Sequence, residues 1–231
     1  MSGPSFVYNT VGAPTPPRVP VVSAPKPFKT VIEVGVNQGQ DTINFLTQEN
    51  MVLYGFEPVW ALVEMLNKKF KDDPRVQIIP CAVDEEPRFT QFNVAAWRDQ
   101  GCSSFYDYAD GLEKTWSQTN YYQLPTHKQK VQVVRLDDFC KTYGITNIDY
   151  LWVDAQGADF AVLKSLGSYI DIVQAGRVEA VLNVSLYKRE GNSVSDILPW
   201  LESKGFEIES VIPDANPQQC EANIHFKRKS T

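Results

Sequence analysis

The chain is predicted to form one α/β domain. It would have a Rossmann-like, seven-stranded, mostly parallel sheet, an antiparallel last strand and helices on both faces. Short β-branched runs alternate with amphipathic segments, which calls for strands linked by crossover helices. The first run, Val31 to Val36, is apolar enough to be buried on both faces, as a parallel sheet requires. The chain closes on two successive strand-like runs, Phe206 to Pro213 and Ala222 to Arg228, a final antiparallel pair. At 231 residues the length suits one such core.

Residues 1–27 carry seven prolines between Pro4 and Pro27 and few large apolar side chains, so they are expected to form a disordered tail, with the folded domain spanning 28–231. After the first strand, Asp41 to Gln48 suits a helix and Met51 to Glu57 the second strand. Pro58 is expected in the first turn of the next helix, where Val59, Leu62, Val63, Leu66 and Phe70 share one face. Arg75 to Val83 reads as a third strand. The stretch from Asp84 to Lys130 breaks the rhythm, and residues 97–130 read as an inserted acceptor or lid region. Val131 to Leu136 is followed by a short helix with Asp137 as N-cap and Gly144 as C-cap. Ile148 to Asp154 gives the fourth core strand, and Val162, Leu163, Leu166 and Ile170 mark the helix beyond it. Arg177 to Leu186 then reads as a strand and Ser193 to Gly205 as a helix.

Composition excludes several classes. With 43% apolar and 22% charged residues the chain is an ordinary globular one. A net charge of −6 disfavours nucleic acid as partner, and the two basic runs, Lys68 to Lys71 and Phe226 to Lys229, read as solvated faces. No apolar stretch approaches the ~20 residues needed to cross a bilayer, so a cytoplasmic protein without membrane partners is expected. Cys81, Cys102, Cys140 and Cys220 are scattered and far from His127 and His225, so reduced thiols and no metal site are expected.

The chemistry concentrates in Glu33-Val34-Gly35-Val36-Asn37-Gln38-Gly39, where a buried strand meets a tight turn leading into a helix. In open α/β sheets ligands bind at that edge. Glu57 closes the second strand 22 residues after Gly35, where an acid can accept hydrogen bonds from both ribose hydroxyls. A dinucleotide turn would place glycines at 35, 37 and 40, but Asn37 and Gln40 stand at two of them, and Asp41 occupies the helix N-terminus that a pyrophosphate needs. An adenosine cofactor without phosphate, S-adenosylmethionine, fits an acidic turn better.

These motifs resemble the FkbM family of methyltransferases. The resemblance runs in order through Glu33 to Gly39, Tyr54 to Pro58, Cys81 to Glu85, Gly101 to Phe105, Val134 to Cys140 and Ile148 to Gly167. It implies the seven-stranded class I methyltransferase sheet. It also implies that Glu33, Gly35, Asn37 and Gly39 hold the methionine part of S-adenosylmethionine, Glu57 the ribose, and Ala82 and Val83 the adenine, with Ser103 and Ser104 nearby. The implied activity is O-methylation of a sugar, glycan or other small natural product. Where the family reads Asp-x-Glu-Gly this chain has Asp154-Ala155-Gln156-Gly157, and Asn183 stands where the family has Glu. Losing two carboxylates argues against a divalent metal and places Gln156 and Asn183 with the acceptor. Asp154 is the candidate base, with His127 as second candidate. Trp116 and Tyr121, among the inserted aromatics, are candidate acceptor contacts, against the alternative of a small satellite core. A non-catalytic S-adenosylmethionine-binding module and a nicotinamide oxidoreductase stay open as other readings.

Overall fold

A computed structural model describes residues 29–95, 100–111, 127–214 and 220–230. The expected tail, Trp116 and Tyr121 lie outside them. The described strands form two sheets. The larger has seven strands: β1 (Lys29–Val34), β2 (Met51–Phe56), β3 (Val76–Ile79), β7 (Tyr150–Val153), β8 (Ala175–Val181), β9 (Phe206–Pro213) and β10 (Glu221–Arg228). Their order is β3-β2-β1-β7-β8-β10-β9, and β10 runs antiparallel to both neighbours. The predicted architecture is thus observed. The strand order reverses at β1, whose partners are β2 and β7, and ligand crevices open at such switch points.

The order of β1 follows from its burial: Val31, Ile32, Glu33 and Val34 are all buried. Helix α1 (Gln40–Leu46) starts one residue earlier than the sequence suggests, because Gly39 takes a left-handed N-cap with φ of 73°. Helix α2 (Trp60–Lys69) buries Leu62, Val63 and Leu66, as its periodicity predicts. Pro58 is not in its first turn; it precedes the N-cap, Val59.

The expected third strand is two. Pro80 has no N–H to continue the ladder, so β3 ends at Ile79 and β4 (Ala82–Val83) joins a second sheet. That sheet has the order β4-β6-β5, with β5 (Arg88–Val94) antiparallel to β6 (His127–Val134). This hairpin is what interrupts the rhythm, and β6 begins four residues before the expected strand at Val131. Phe92, Val94, Val131 and Val133 pack with Val59, Leu62 and Ala82, joining the small sheet to α2.

Helix α3 (Leu136–Tyr143) is capped by Arg135, not Asp137; Asp137 instead accepts the Arg135 guanidinium at 2.8 and 2.6 Å. Gly144 closes it in the left-handed region, as expected. The single helix anticipated after β7 breaks into α4 (Asp159–Lys164) and a 3₁₀ turn (Gly167–Ile172), with Gly167 at φ 52°. Helix α5 (Val194–Ser203) carries a reciprocal capping box between Ser193 and Asp196. Strand β8 ends at Val181, five residues before the predicted end at Leu186. Among the described residues no helix is long and apolar enough to cross a membrane.

Candidate active site

A cavity of about 460 Å³ opens at the carboxyl ends of β1, β2 and β7. The turn after β1 forms one wall. Gly35, Asn37 and Gly39 have φ of 86°, 51° and 73°, so three of five residues are left-handed. At Gly35 a side chain is excluded outright: a Cβ would sit 1.9 Å from the carbonyl oxygen of Asp154. The missing side chain lets the turn and the Asp154 loop close on each other.

Glu57 is 4% exposed and lines the cavity. Its Oε2 accepts the Asn37 N–H and its Oε1 the Val59 N–H, each at 2.8 Å. Burial pushes its carboxyl up to about 7, against the lowering effect of those two bonds. A carboxylate has about four lone-pair sites, so both oxygens keep capacity for a hydroxyl pair. Asn37 Oδ1 is buried without a hydrogen-bond partner among the described residues, and Asn37 lines the cavity. Cys81, Ala82, Val83, Leu62 and Phe92 make an apolar slot beside Glu57. Ser103 lines it, its Oγ donating to the Gln100 carbonyl at 2.6 Å and accepting the Ala95 N–H at 3.0 Å.

Three residues expected around the cofactor stand behind the wall. Glu33 is fully buried under α1, where Oε2 accepts the Thr42 hydroxyl at 2.6 Å and Oε1 has no partner. Burial raises its carboxyl to about 8, so it is largely protonated at neutral pH. Gly39 packs toward Phe70 and Leu66 of α2. Ser104 donates to the Gln156 carbonyl at 2.7 Å, tying the loop after β5 to the loop after β7.

Asp41, Asp154, Gln156 and Glu221 also line the cavity. Gln156 holds a left-handed φ of 48° and donates its amide to Asp154 Oδ1 at 2.7 Å and to Glu179 Oε2 at 3.1 Å. Its own oxygen accepts the Tyr187 hydroxyl at 2.6 Å. Asp159, also buried, fixes the same loop by accepting the N–H groups of Ala155 (2.6 Å) and Gly157 (3.1 Å) and the Asn192 amide (3.0 Å). Burial first, then the charge of Asp154, raises the Asp159 carboxyl to about 6. His127 is exposed at the start of β6 and Asn183 is exposed after β8; neither lines the cavity.

Sequence reasoning missed Glu221, Glu179 and Asp159. Nothing in the local pattern marks them, since it is the sheet order that gathers β7, β8, β10 and α4 at one edge. The charged residues of the cavity wall are Asp41, Glu57, Asp154 and Glu221; among the described residues no Lys, Arg or His joins them. Such a wall repels phosphate and suits a cation. An apolar slot, an acid with spare lone pairs and further carboxylates in the wall suit adenine, ribose and a sulfonium.

Comparison with known proteins bears on the fold and the family. The fibrillarin of Aeropyrum pernix, solved with natively bound S-adenosyl-L-methionine, is 12% identical, and the match covers 86% of this chain and 66% of that one with a TM-score of 0.50, a likeness of fold. A magnesium protoporphyrin IX methyltransferase (ChlM) from Synechocystis PCC 6803 with bound SAM is also 12% identical, covering 88% and 71% at a TM-score of 0.47. The 2-O-methyltransferase NoeI of Sinorhizobium fredii (strain NBRC 101917 / NGR234) is 24% identical over 141 residues, 60% of this chain and 57% of NoeI. The match thus spans little more than half of that relative's length. A family model for the methyltransferase FkbM domain matches residues 33–208, most of the chain, and by that match the chain belongs to the FkbM methyltransferase family.

Proposed function

We propose that this chain is an S-adenosylmethionine-dependent O-methyltransferase that methylates a hydroxyl of a sugar, glycan or other small natural product. The observation that carries the reading is the cavity wall with four carboxylates and no basic side chain among the described residues. It accepts an adenosine cofactor that is cationic and free of phosphate, and it disfavours a nicotinamide dinucleotide. The name of NoeI, a 2-O-methyltransferase, supports oxygen as the receiving atom.

In this reading Glu57 takes the ribose hydroxyls, Ala82 and Val83 flank the adenine, and Gly35 and Asn37 receive the methionine part. Glu33, Gly39, Ser103 and Ser104 hold these walls in shape. Asp154 faces the acceptor hydroxyl, steadied by Gln156, and methyl transfer requires chiefly that this oxygen be aligned and lose its proton. Residues 97–130, with Trp116 and Tyr121, supply acceptor contacts, as loops at a sheet's carboxyl edge commonly do. No metal takes part.

Titration calorimetry of the full chain with S-adenosylhomocysteine, S-adenosylmethionine and NAD tests the cofactor assignment. Saturable binding of the first two at one site, and none of NAD, is the expected result. Binding of NAD, or of none of the three, would remove the proposal.

A further inference from the structure

The last strand of the sheet delivers a carboxylate that local sequence pattern does not mark. Because β10 runs antiparallel, its first residue lies at the carboxyl edge of the parallel strands. There Glu221 pairs in register with Val181, the last residue of β8. The strand start is pinned by the N–H groups of Leu182 and Asn183, which donate to the Cys220 carbonyl at 2.8 and 3.3 Å, and by Asp214, whose N–H donates to the Glu221 carbonyl at 3.0 Å. The Glu221 side chain lines the cavity together with Asp154, Ala155 and Gln156.

The two carboxylates stand in different surroundings. Asp154 already accepts the Gln156 amide at 2.7 Å, which fixes its carboxylate in place. Among the described residues none donates a side-chain hydrogen bond to the Glu221 carboxylate, which lines the cavity. The groups that face it are acidic or neutral: Asp154 after β7, Asp159 on α4, Glu179 on β8, Asp214 after β9, and the Tyr187 hydroxyl.

We infer that Glu221 receives the proton that the acceptor hydroxyl gives up on methylation, while Asp154, held by the Gln156 amide, orients that hydroxyl. The inference rests on the reading of the chain as an O-methyltransferase. On transfer the acceptor oxygen bonds the methyl carbon as the carbon–sulfur bond breaks. The electron pair stays on sulfur, leaving neutral S-adenosylhomocysteine, and the hydroxyl proton becomes the carboxyl proton of Glu221, later released to solvent. Desolvation in the wall, with the like charges of Asp154, Asp159 and Asp214, raises the Glu221 carboxyl well above the usual carboxylate range. A base whose proton affinity lies nearer the working pH takes a proton more effectively. Asp154, tied to Gln156, is the better fixed of the two side chains.

The test uses the full chain, S-adenosylmethionine and a panel of methyl glycosides as acceptors, following S-adenosylhomocysteine release against pH for wild type, Glu221→Gln, Glu221→Asp and Asp154→Asn. Wild-type turnover should rise with pH along an acid limb. Glu221→Gln should lower kcat by ~100-fold or more and abolish that limb, Glu221→Asp should restore the limb in part, and Asp154→Asn should lower the rate while keeping it. Calorimetric affinity for S-adenosylhomocysteine should stay within a few-fold in Glu221→Gln, and its melting temperature should not fall, because the amide relieves charge repulsion. A limb unchanged in Glu221→Gln, or turnover within a few-fold of wild type, overturns the proton assignment alone. Failure of the wild-type chain to bind S-adenosylhomocysteine, or to methylate any glycoside of the panel, brings down the enzymatic reading and the inference with it.

Discussion

At Glu57, two backbone N–H groups hold the carboxylate in place while burial lifts its proton affinity to about 7. Ribose hydroxyls donating to it would favour the charged form, so cofactor binding should expel its proton. Affinity for S-adenosylhomocysteine should therefore weaken as pH falls through 7, by about tenfold between pH 8 and 6, since each pH unit below the pKa is worth about 1.4 kcal/mol. Calorimetry at both pH values checks this, and Glu57→Gln should flatten the dependence. Glu57→Ala should cost about 1.5 to 3 kcal/mol of cofactor affinity at pH 8; an unchanged dissociation constant would remove Glu57 from the ribose. Gln156 leads to a separate expectation. Its amide donates to both Asp154 and Glu179, where the family's Glu would add a third carboxyl group beside them. With that carboxylate gone, turnover should survive exhaustive EDTA treatment; a large loss restored by magnesium or manganese would contradict the account.

Where elements meet, local signals succeed or fail for identifiable reasons. The stripe of Leu62, Val63 and Leu66 was legible because one helix face decides it. Glu57 and the Gly35 turn were legible for the same reason: strand, turn and helix are contiguous. The split of β3 from β4 at Pro80 and the pairing of β5 with β6 depend on contacts across an intervening stretch, which periodicity does not report. Glu221, Glu179 and Asp159 reach the cavity through sheet order. Glu33 shows the converse: its motif was plain, but the strand turns it under α1 toward Thr42 and away from the cavity. The approach of β1 to the Asp154 loop is the tightest of these junctions. Gly35→Ala forces a left-handed φ of 86° on a residue with a Cβ and drives that atom into the Asp154 carbonyl. Chemical denaturation should show a loss of about 3 kcal/mol or more, with cofactor binding lost as well; a variant as stable as wild type would show that the loops move apart freely.

The described residues include three buried acids, Glu33, Glu57 and Asp159, and two half-buried ones, Glu179 and Glu221. The carboxyls of Glu33, Glu57, Asp159, Glu179 and Glu221 all lie above their usual range, chiefly through desolvation. An acid whose folded pKa exceeds its unfolded one destabilises the fold once pH rises above the unfolded value. The folded chain therefore binds more protons than the unfolded chain from about pH 4.5 upward, and stability should fall as pH rises through 6, 7 and 8. Without ligand, unfolding free energy should be greater at pH 6 than at pH 8 by roughly 2 kcal/mol or more. Urea titration at the two values measures this, and equal stability would mean that these acids are solvated. A bound cation in the same cavity should offset the loss, so S-adenosylmethionine should stabilise the chain at pH 8 by RT ln(1 + [L]/Kd). The claim on which the account stands is that this acidic cavity transfers a methyl group as well as binding its donor. Incubating the full chain with methyl-deuterated S-adenosylmethionine and a panel of sugars and glycosides, followed by mass spectrometry, tests it directly. The account predicts a product heavier by one trideuteromethyl group, carried on oxygen, with S-adenosylhomocysteine formed in equal amount. Tight binding of the donor with no labelled product from any hydroxylated acceptor would contradict it and leave a binding module in place of an enzyme.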